Sequence, residues 1–374
     1  MYYFIFYMFP AVLTYFNIYL KSTGISATQI GLMNSVSRTL AILVLPLWGM
    51  MADYFGANKK VLLISLGGTL IFMLSFLLTT EYIFIFIIFI FYTLFRSPSA
   101  SLSDSLLLNH LDKKSNEYGK FRVWGSLGYM ITVTPFGYII EQTQARILFF
   151  LGAIILLIIL LNAFQLPKSN ETFEVATISD FKYLFQNKKL FIFLILVFLL
   201  QSPLRANYTY FPIFFKDVGG GETLLGVAMV LSSGSELYFF QKSEKFLTRF
   251  SAKNIFTVIA VVFTLRWLLI ALIPIPVILL LSQLLHGVTF GLLHVTTVYY
   301  ITKIIGDSLK ATGQNLYAST ISISIVLSSL LGGIIYDQLG GANMYLVGSI
   351  ISLLAGIGCY YNLFFQYDNH PEPE

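Results

Sequence analysis

The sequence predicts an all-α polytopic membrane protein, with twelve transmembrane helices in two pseudo-symmetric six-helix bundles. Three observations predict it. Of the 374 residues 57% are hydrophobic and only 11% charged, whereas soluble chains carry roughly 25% charged residues. The apolar residues gather in twelve runs, each with the ~20 residues needed to cross a ~30 Å hydrocarbon core. The second half of the chain also repeats the first. Tyr15-Phe16 and Ile18, followed by Lys21, Gly24, Thr28 and Gly31, line up with Tyr210-Phe211 and Ile213, Lys216, Gly219, Thr223 and Gly226 at a constant offset of 195. The same offset pairs Phe55-Gly56-Ala57 with Phe250-Ser251-Ala252, and Gly137 with Gly332. One gap-free offset held across three regions is the mark of a parallel duplication of six spans.

In order, the predicted spans cover about Tyr2 to Leu20, Ala27 to Asp53, Val61 to Thr79, Tyr82 to Leu108, Phe121 to Ile140 and Ile147 to Leu166. The first apolar run begins at Met1, lacks a charged n-region and is followed by further spans, so it reads as a transmembrane helix rather than a cleaved signal. Residues 167–189 are polar, with charges of both signs, and read as a cytoplasmic linker between bundles at 1–166 and 190–374. The second set of spans covers about Leu190 to Phe215, Thr223 to Phe240, Ile255 to Ile273, Val277 to Ile301, Gly313 to Tyr336 and Met344 to Phe365.

The net charge of +5 is a matter of topology. One set of loops carries Lys59, Lys60, Lys113, Lys114, Lys120, Arg122, Lys168, Lys182, Lys188, Lys189, Lys242, Lys245, Arg249, Lys253, Lys303 and Lys310; the other carries only Lys21, Arg146 and Lys216. Basic loops stay on the cytoplasmic side, which places both termini in the cytoplasm and excludes a nucleic-acid footprint. The expected setting is the plasma (inner) membrane of a bacterium, with the chain a monomer. Cys359 is the one cysteine, so there is no disulfide framework. No metal or other cofactor is expected.

Between the second and third spans stands Gly49-Met-Met-Ala-Asp53-Tyr-Phe-Gly56-Ala-Asn-Lys59-Lys60. It reads as a tight charged turn in which Gly56 permits the bend and Lys59 and Lys60 face an anionic leaflet. This spacing resembles the signature loop of the major facilitator superfamily. The resemblance implies a gate loop at Gly49, Asp53, Gly56, Lys59 and Lys60, in the fold of that superfamily. In the second copy Glu244 and Thr248 replace Gly49 and Asp53, so the loop is retained in the first half.

Charges within the spans carry the most information. Arg38, Arg96, Asp104, Arg205, Glu236 and Arg266 all fall there. Each costs about 2.5–3.5 kcal/mol at a helix centre unless it faces a partner, a wet cavity or a substrate. The stretch Asp104 to His110, followed by Glu117-Tyr-Gly-Lys-Phe-Arg122-Val-Trp-Gly-Ser126-Leu-Gly-Tyr129, resembles the matching part of the lactose permease branch, with its phenylpropionate and nucleoside proton symporters. By that resemblance the substrate-clamping carboxylate, guanidinium, small polar and ring positions fall on Asp104, Arg122, Ser126 and Tyr129. The set is chemically coherent on its own terms: a carboxylate and a forked guanidinium hydrogen-bond a polyol or an acid, and an aromatic face stacks on a ring.

In the second half, Glu236, Arg266 and His286 fall where that branch places its sugar-binding and proton-coupling glutamate, arginine and histidine. Gln283, His286, Phe290 and His294 recur at helical spacing and share one face, with the two histidines ~12 Å apart along it. Thr289 stands where lactose permease carries its proton-bearing glutamate, so Glu236 or a histidine must take that part, with Arg266 as the expected partner of Glu236.

The function expected is secondary active transport, by proton symport of a small organic solute: a sugar or oligosaccharide, a nucleoside or an aromatic acid. The excess of Arg38, Arg96 and Arg205 points toward an anion, and the Asp104, Arg122 and Tyr129 set toward a sugar or nucleoside. The alternative is a drug or metabolite exporter of the same fold. Such exporters carry a Gly/Pro-rich fifth span, whereas Gly125, Gly128, Pro135 and Gly137 are scattered here. A membrane enzyme or a non-transporting sensor is the least expected reading, because the sequence holds no metal cluster, nucleophile elbow or phosphate loop.

Overall fold

The computed structural model describes residues 1–54, 58–111, 118–166, 187–306 and 309–361, and every regular element among them is a helix. The chain divides into two compact units, Met1–Val175 with Gly221–Val227, and Ala176–Gly220 with Ala228–Glu374. Most of the predicted linker, 167–186, lies outside the described residues.

In the first unit, α1 (Tyr2–Phe6) and α2 (Pro10–Ser22) make one span, interrupted just before Pro10. Proline has no N–H to donate and suits the first turn of a helix, so the span restarts there. Next come α3 (Ala27–Tyr54) and α4 (Asn58–Ser75), the latter extended by a 3₁₀ turn over Phe76–Leu78. The fourth span is α5 (Tyr82–Arg96) and α6 (Ser99–Leu111), parted at Ser97-Pro98. The fifth and sixth are α7 (Tyr118–Gln142) and α8 (Ile147–Ala163).

The second unit holds α9 (Lys188–Asp217), most of α10 (Glu222–Arg249) and α11 (Ala252–Leu272). Its next span is composite. It runs as α12 (Pro276–Ser282), a 3₁₀ turn over Gln283–Leu285, a π-helical segment over Gly287–Leu292, and α13 (Leu293–Ile305). The last two spans are α14 (Lys310–Leu339) and α15 (Gly341–Tyr361).

Eleven of these spans are at least 18 residues long and apolar enough to cross a membrane, and α8, with 17 residues, is the shorter twelfth. Leu43, Ile71, Leu161 and Leu331 are more than half exposed, as side chains turned toward acyl chains are. Between helices the cohesion comes from close packing rather than from escape from water. In the first unit, Phe16 stacks on Phe89 at 5.4 Å while Phe76 stacks on Phe149 at 5.1 Å, tying four spans together.

The duplication is visible in the backbone. α3 and α10 begin and end at positions 195 apart. Gly24 and Gly219 close the preceding spans with φ of +86° and +89°, a conformation open to glycine and strained for other residues. Gly137 packs against Tyr15 in the first unit, and Gly332 against Tyr210 in the second.

The signature stretch differs from the expected turn. Gly49 and Asp53 belong to the last turns of α3, and Lys59 and Lys60 to the first turn of α4, so the bend itself is confined to 55–57, outside the described residues with Gly56. Lys60 is exposed, but Lys59 turns inward on the end of α8, donating from Nζ to the carbonyls of Phe164 and Leu166 at 2.6 Å each. A cation at a helix C-terminus satisfies carbonyls left without intrahelical donors. The equivalent positions in the second copy, Glu244 and Thr248, lie within the uninterrupted α10.

Candidate functional site

The densest polar constellation lies within the second unit, on four spans. Arg266 of α11 is wholly buried. Its NH1 donates to Thr289 Oγ1 at 2.7 Å and meets His286 Nδ1 at 3.3 Å, while its NH2 donates to Gln283 Oε1 at 2.9 Å. Its guanidinium also lies 4.8 Å from the Trp267 ring centroid. Buried charge is tolerated when its donors are matched in this way, although Nε has no partner among the described residues.

These bonds assign the imidazole tautomer. A guanidinium only donates, so His286 Nδ1 must accept, and the ring proton of neutral His286 then sits on Nε2. That nitrogen lies 3.2 Å from the Tyr208 hydroxyl and 3.9 Å from Glu236 Oε2. Arg266 therefore reaches Glu236 through His286, which corrects the direct pairing expected from the sequence. Glu236, with 28% of its side chain exposed, is the more accessible end of the chain of contacts.

The local backbone explains how His286 is held. A Cβ on Gly287 would lie 2.3 Å from the Ser235 carbonyl oxygen, so only glycine lets this span press against α10. The Gly287 N–H donates to Ser235 Oγ at 2.9 Å, one residue from Glu236. The π-helical segment starts at the same point, and such segments recur at functional positions in membrane and soluble helices alike. Despite the altered winding, His286, Phe290 and His294 form a stacked column, with ring centroids 5.5 and 5.9 Å apart. Of the face predicted from spacing, His286, Phe290 and His294 thus lie together.

A second thread leads from His294. Its Nδ1 meets the Tyr317 hydroxyl at 3.2 Å, which accepts from Gln201 Nε2 at 3.3 Å; Gln201 Oε1 in turn accepts from Arg205 Nε at 3.1 Å. Arg205 packs over the ring of Tyr208, 5.4 Å from its centroid. Gln201, Tyr208 and Tyr317 escaped the sequence reading. A signal existed for Gln201: it lies one helical turn before Arg205, inside an apolar run.

In the first unit, Asp104 on α6 accepts a hydrogen bond from the Tyr3 hydroxyl, and the adjacent Ser103 shares one of 2.9 Å with Tyr2. Tyr129 on α7 shares a hydrogen bond of 3.1 Å with Thr14 of α2. Ser126 is half-buried on α7. The Arg122 side chain lies outside the described residues, as does that of Asp53. Arg96 ends α5 with its guanidinium 5.6 Å from the Phe9 ring centroid. Arg38 sits partly buried on α3, beside Ser37, whose hydroxyl meets Thr93 of α5 at 2.7 Å. A cavity of about 460 Å³ opens beside this group, bounded by Tyr2, Tyr3, Ser103, Leu106 and Trp124. Tyr2 and Tyr3, absent from the sequence reading, thus join Asp104 to the first span. Among the described residues no cluster of His, Cys, Asp and Glu could hold a metal ion.

The arrangement has counterparts among known proteins. The chain is 26% identical to the maltose permease of Geobacillus stearothermophilus, over 94% of this chain and 90% of that protein. It is 24% identical to a probable 3-phenylpropionic acid transporter of Escherichia coli, over 90% of this chain and 89% of that one. Its fold matches the crystal structure of the nucleoside transporter NupG with a TM-score of 0.83 at 19% identity, covering 96% of each chain. Residues 1–347 match the model of the MFS_1 like family, and the chain belongs to that family of multi-pass membrane proteins.

Proposed function

We propose that the chain is a secondary active transporter that imports a small organic solute together with a proton by alternating access. The observation that carries this reading is the Glu236–His286–Arg266 chain of contacts inside apolar spans. With His286 Nδ1 engaged by Arg266, protonating the ring would set two donors face to face, so His286 stays neutral and Glu236 is the group that gains and loses the proton. A neutral glutamic acid no longer attracts its basic neighbours. Protonation thereby loosens the contact through His286, and release of the proton restores it. One proton moving down about 100 mV supplies about 2.3 kcal/mol, enough for roughly fifty-fold accumulation.

The solute site is assigned to Asp104, Arg122, Ser126 and Tyr129, with Arg38, Arg96 and Arg205 as further contacts and His294 as part of the coupling group. Its substrate belongs among sugars, nucleosides and aromatic acids, and the maltose, phenylpropionic acid and nucleoside transporters among its likenesses support that range. Gly49, Asp53, Gly56, Lys59 and Lys60 form the gate loop. The working unit is a monomer in the bacterial plasma membrane, with both termini cytoplasmic and six-helix bundles at 1–166 and 190–374.

The test is uptake into proteoliposomes with an imposed pH gradient, acid outside, over sugars, nucleosides and aromatic acids. At least one solute should accumulate, and collapsing the gradient should abolish accumulation while leaving exchange of labelled for unlabelled solute. Exchange that is indifferent to the gradient from the outset would remove proton coupling. Absence of both would remove transport.

A further inference from the structure

The charges of the second unit do not balance, and the imbalance lies on the accessible side of its polar network. The hydrogen bonds of Arg266 all go to neutral partners, namely Thr289, His286 and Gln283. Arg205 spends Nε on the neutral Gln201, and among the described residues its two terminal nitrogens make no hydrogen bond. Against these two guanidinium groups the network offers one carboxylate, Glu236. A guanidinium fork with both outer nitrogens open matches the two oxygens of a carboxylate.

The ring that the fork rests on belongs to an aromatic cluster. Tyr208, 43% exposed within its span, lies under the Arg205 guanidinium and meets Phe290 edge-on at 6.5 Å. Phe240 adds a second edge to Phe290 at 6.3 Å. Gln201, braced by Tyr317 and His294, fixes the Arg205 stem from behind, so the fork is oriented before anything binds.

Resting on the transport reading above, we propose that the solute is a ring-bearing organic carboxylate whose anionic head is held by Arg205, with Gln201 and Tyr317 as positioning residues. A consequence follows for the energetics. A monoanion carried with one proton moves no net charge, whereas a sugar or nucleoside carried with a proton moves one positive charge.

The test uses the purified full chain. Its unfolding temperature is measured with 3-phenylpropionate, the uncharged amide of the same shape, maltose and uridine. Uptake of the labelled compounds is then followed in proteoliposomes under a potassium–valinomycin potential or a pH gradient, with protein-free vesicles subtracting passive entry of the acid. The carboxylate should stabilise the protein at concentrations at least about tenfold below the amide. Its uptake should follow the pH gradient and ignore the potential. R205K, which keeps the charge but loses the fork, should weaken carboxylate binding about tenfold, and R205Q about a hundredfold; if neither variant folds, the wild-type arms decide. Equal stabilisation by acid and amide overturns the proposal, as does uptake of maltose or uridine driven by the potential with the acid ignored; in the latter case transport itself stands. If no compound enters under either gradient, the transport reading falls and this inference with it.

Discussion

The two halves of this chain share a backbone and not a chemistry. α3 and α10 coincide at an offset of 195, and Gly24 and Gly219 adopt the same left-handed turn. At that same offset, however, Arg266, Glu236 and His286 correspond to Ile71, Ala41 and Phe91, while Asp104 corresponds to Tyr299. Duplication thus preserved the positions that decide how helices turn and approach each other. The buried charges diverged, leaving a carboxylate tied to tyrosine in one half and an arginine–histidine–glutamate chain of contacts in the other. The scaffold is thus shared while the buried polar chemistry is not, and the two halves should respond differently to comparable substitutions.

The largest effect is expected at Arg266. R266A leaves Gln283 Oε1, His286 Nδ1 and the Thr289 hydroxyl without their buried donor. Hydrogen bonds from a charged group contribute about 1.5–3 kcal/mol each. Transport should be abolished and the unfolding temperature in detergent should fall; unchanged unfolding would mean that the buried guanidinium is not structural.

A smaller, different response is expected in the first half. D104N keeps the shape and an acceptor for Tyr3 while removing the charge. The half-saturating solute concentration should rise about tenfold, the equivalent of roughly 1.4 kcal/mol, with the accumulation ratio at saturation unchanged. Loss of accumulation with unaltered affinity would place coupling in the wrong half.

The smallest effects compare the scaffolds. A Cβ at Gly137 would fall 2.2 Å from the Glu222 carbonyl oxygen and 2.5 Å from the Tyr15 hydroxyl, whereas at Gly332 it would meet the edge of the Tyr210 ring at 2.9 Å. Backbone cannot step aside as a ring can, and overpacking typically costs about 1–3 kcal/mol. G137A should therefore lower the unfolding temperature more than G332A does. The reverse order would mean that the paired contacts are not equivalent in the two halves.

Much of this fold was legible in the sequence, because the spans are apolar throughout and the two halves keep one gap-free offset. What apolar content does not encode is where a span is broken or rewound. Neither the interruption before Pro10 nor the π-helical segment at Gly287–Leu292 changes hydropathy; the latter depends on Gly287 meeting Ser235 of another span. The charged residues announced themselves by the penalty of placing them in lipid, yet their partners did not. Arg266 reaches Glu236 through His286, whose Nδ1 faces the Arg266 guanidinium while its Nε2 faces Glu236. Gly49 and Asp53 fall at the end of the second predicted span, and helix α3 does run through them to Tyr54, whereas Lys59 and Lys60, read as part of the turn, already belong to α4.

If the proton rides on Glu236, proton movement itself should report it. In lightly buffered proteoliposomes without an imposed gradient, adding the transported solute to wild-type protein should draw protons inward, read as alkalinisation of the external medium. E236Q should carry the solute in exchange without moving protons, whereas D104N at saturating solute should still move them. Proton movement undiminished in E236Q would contradict the account.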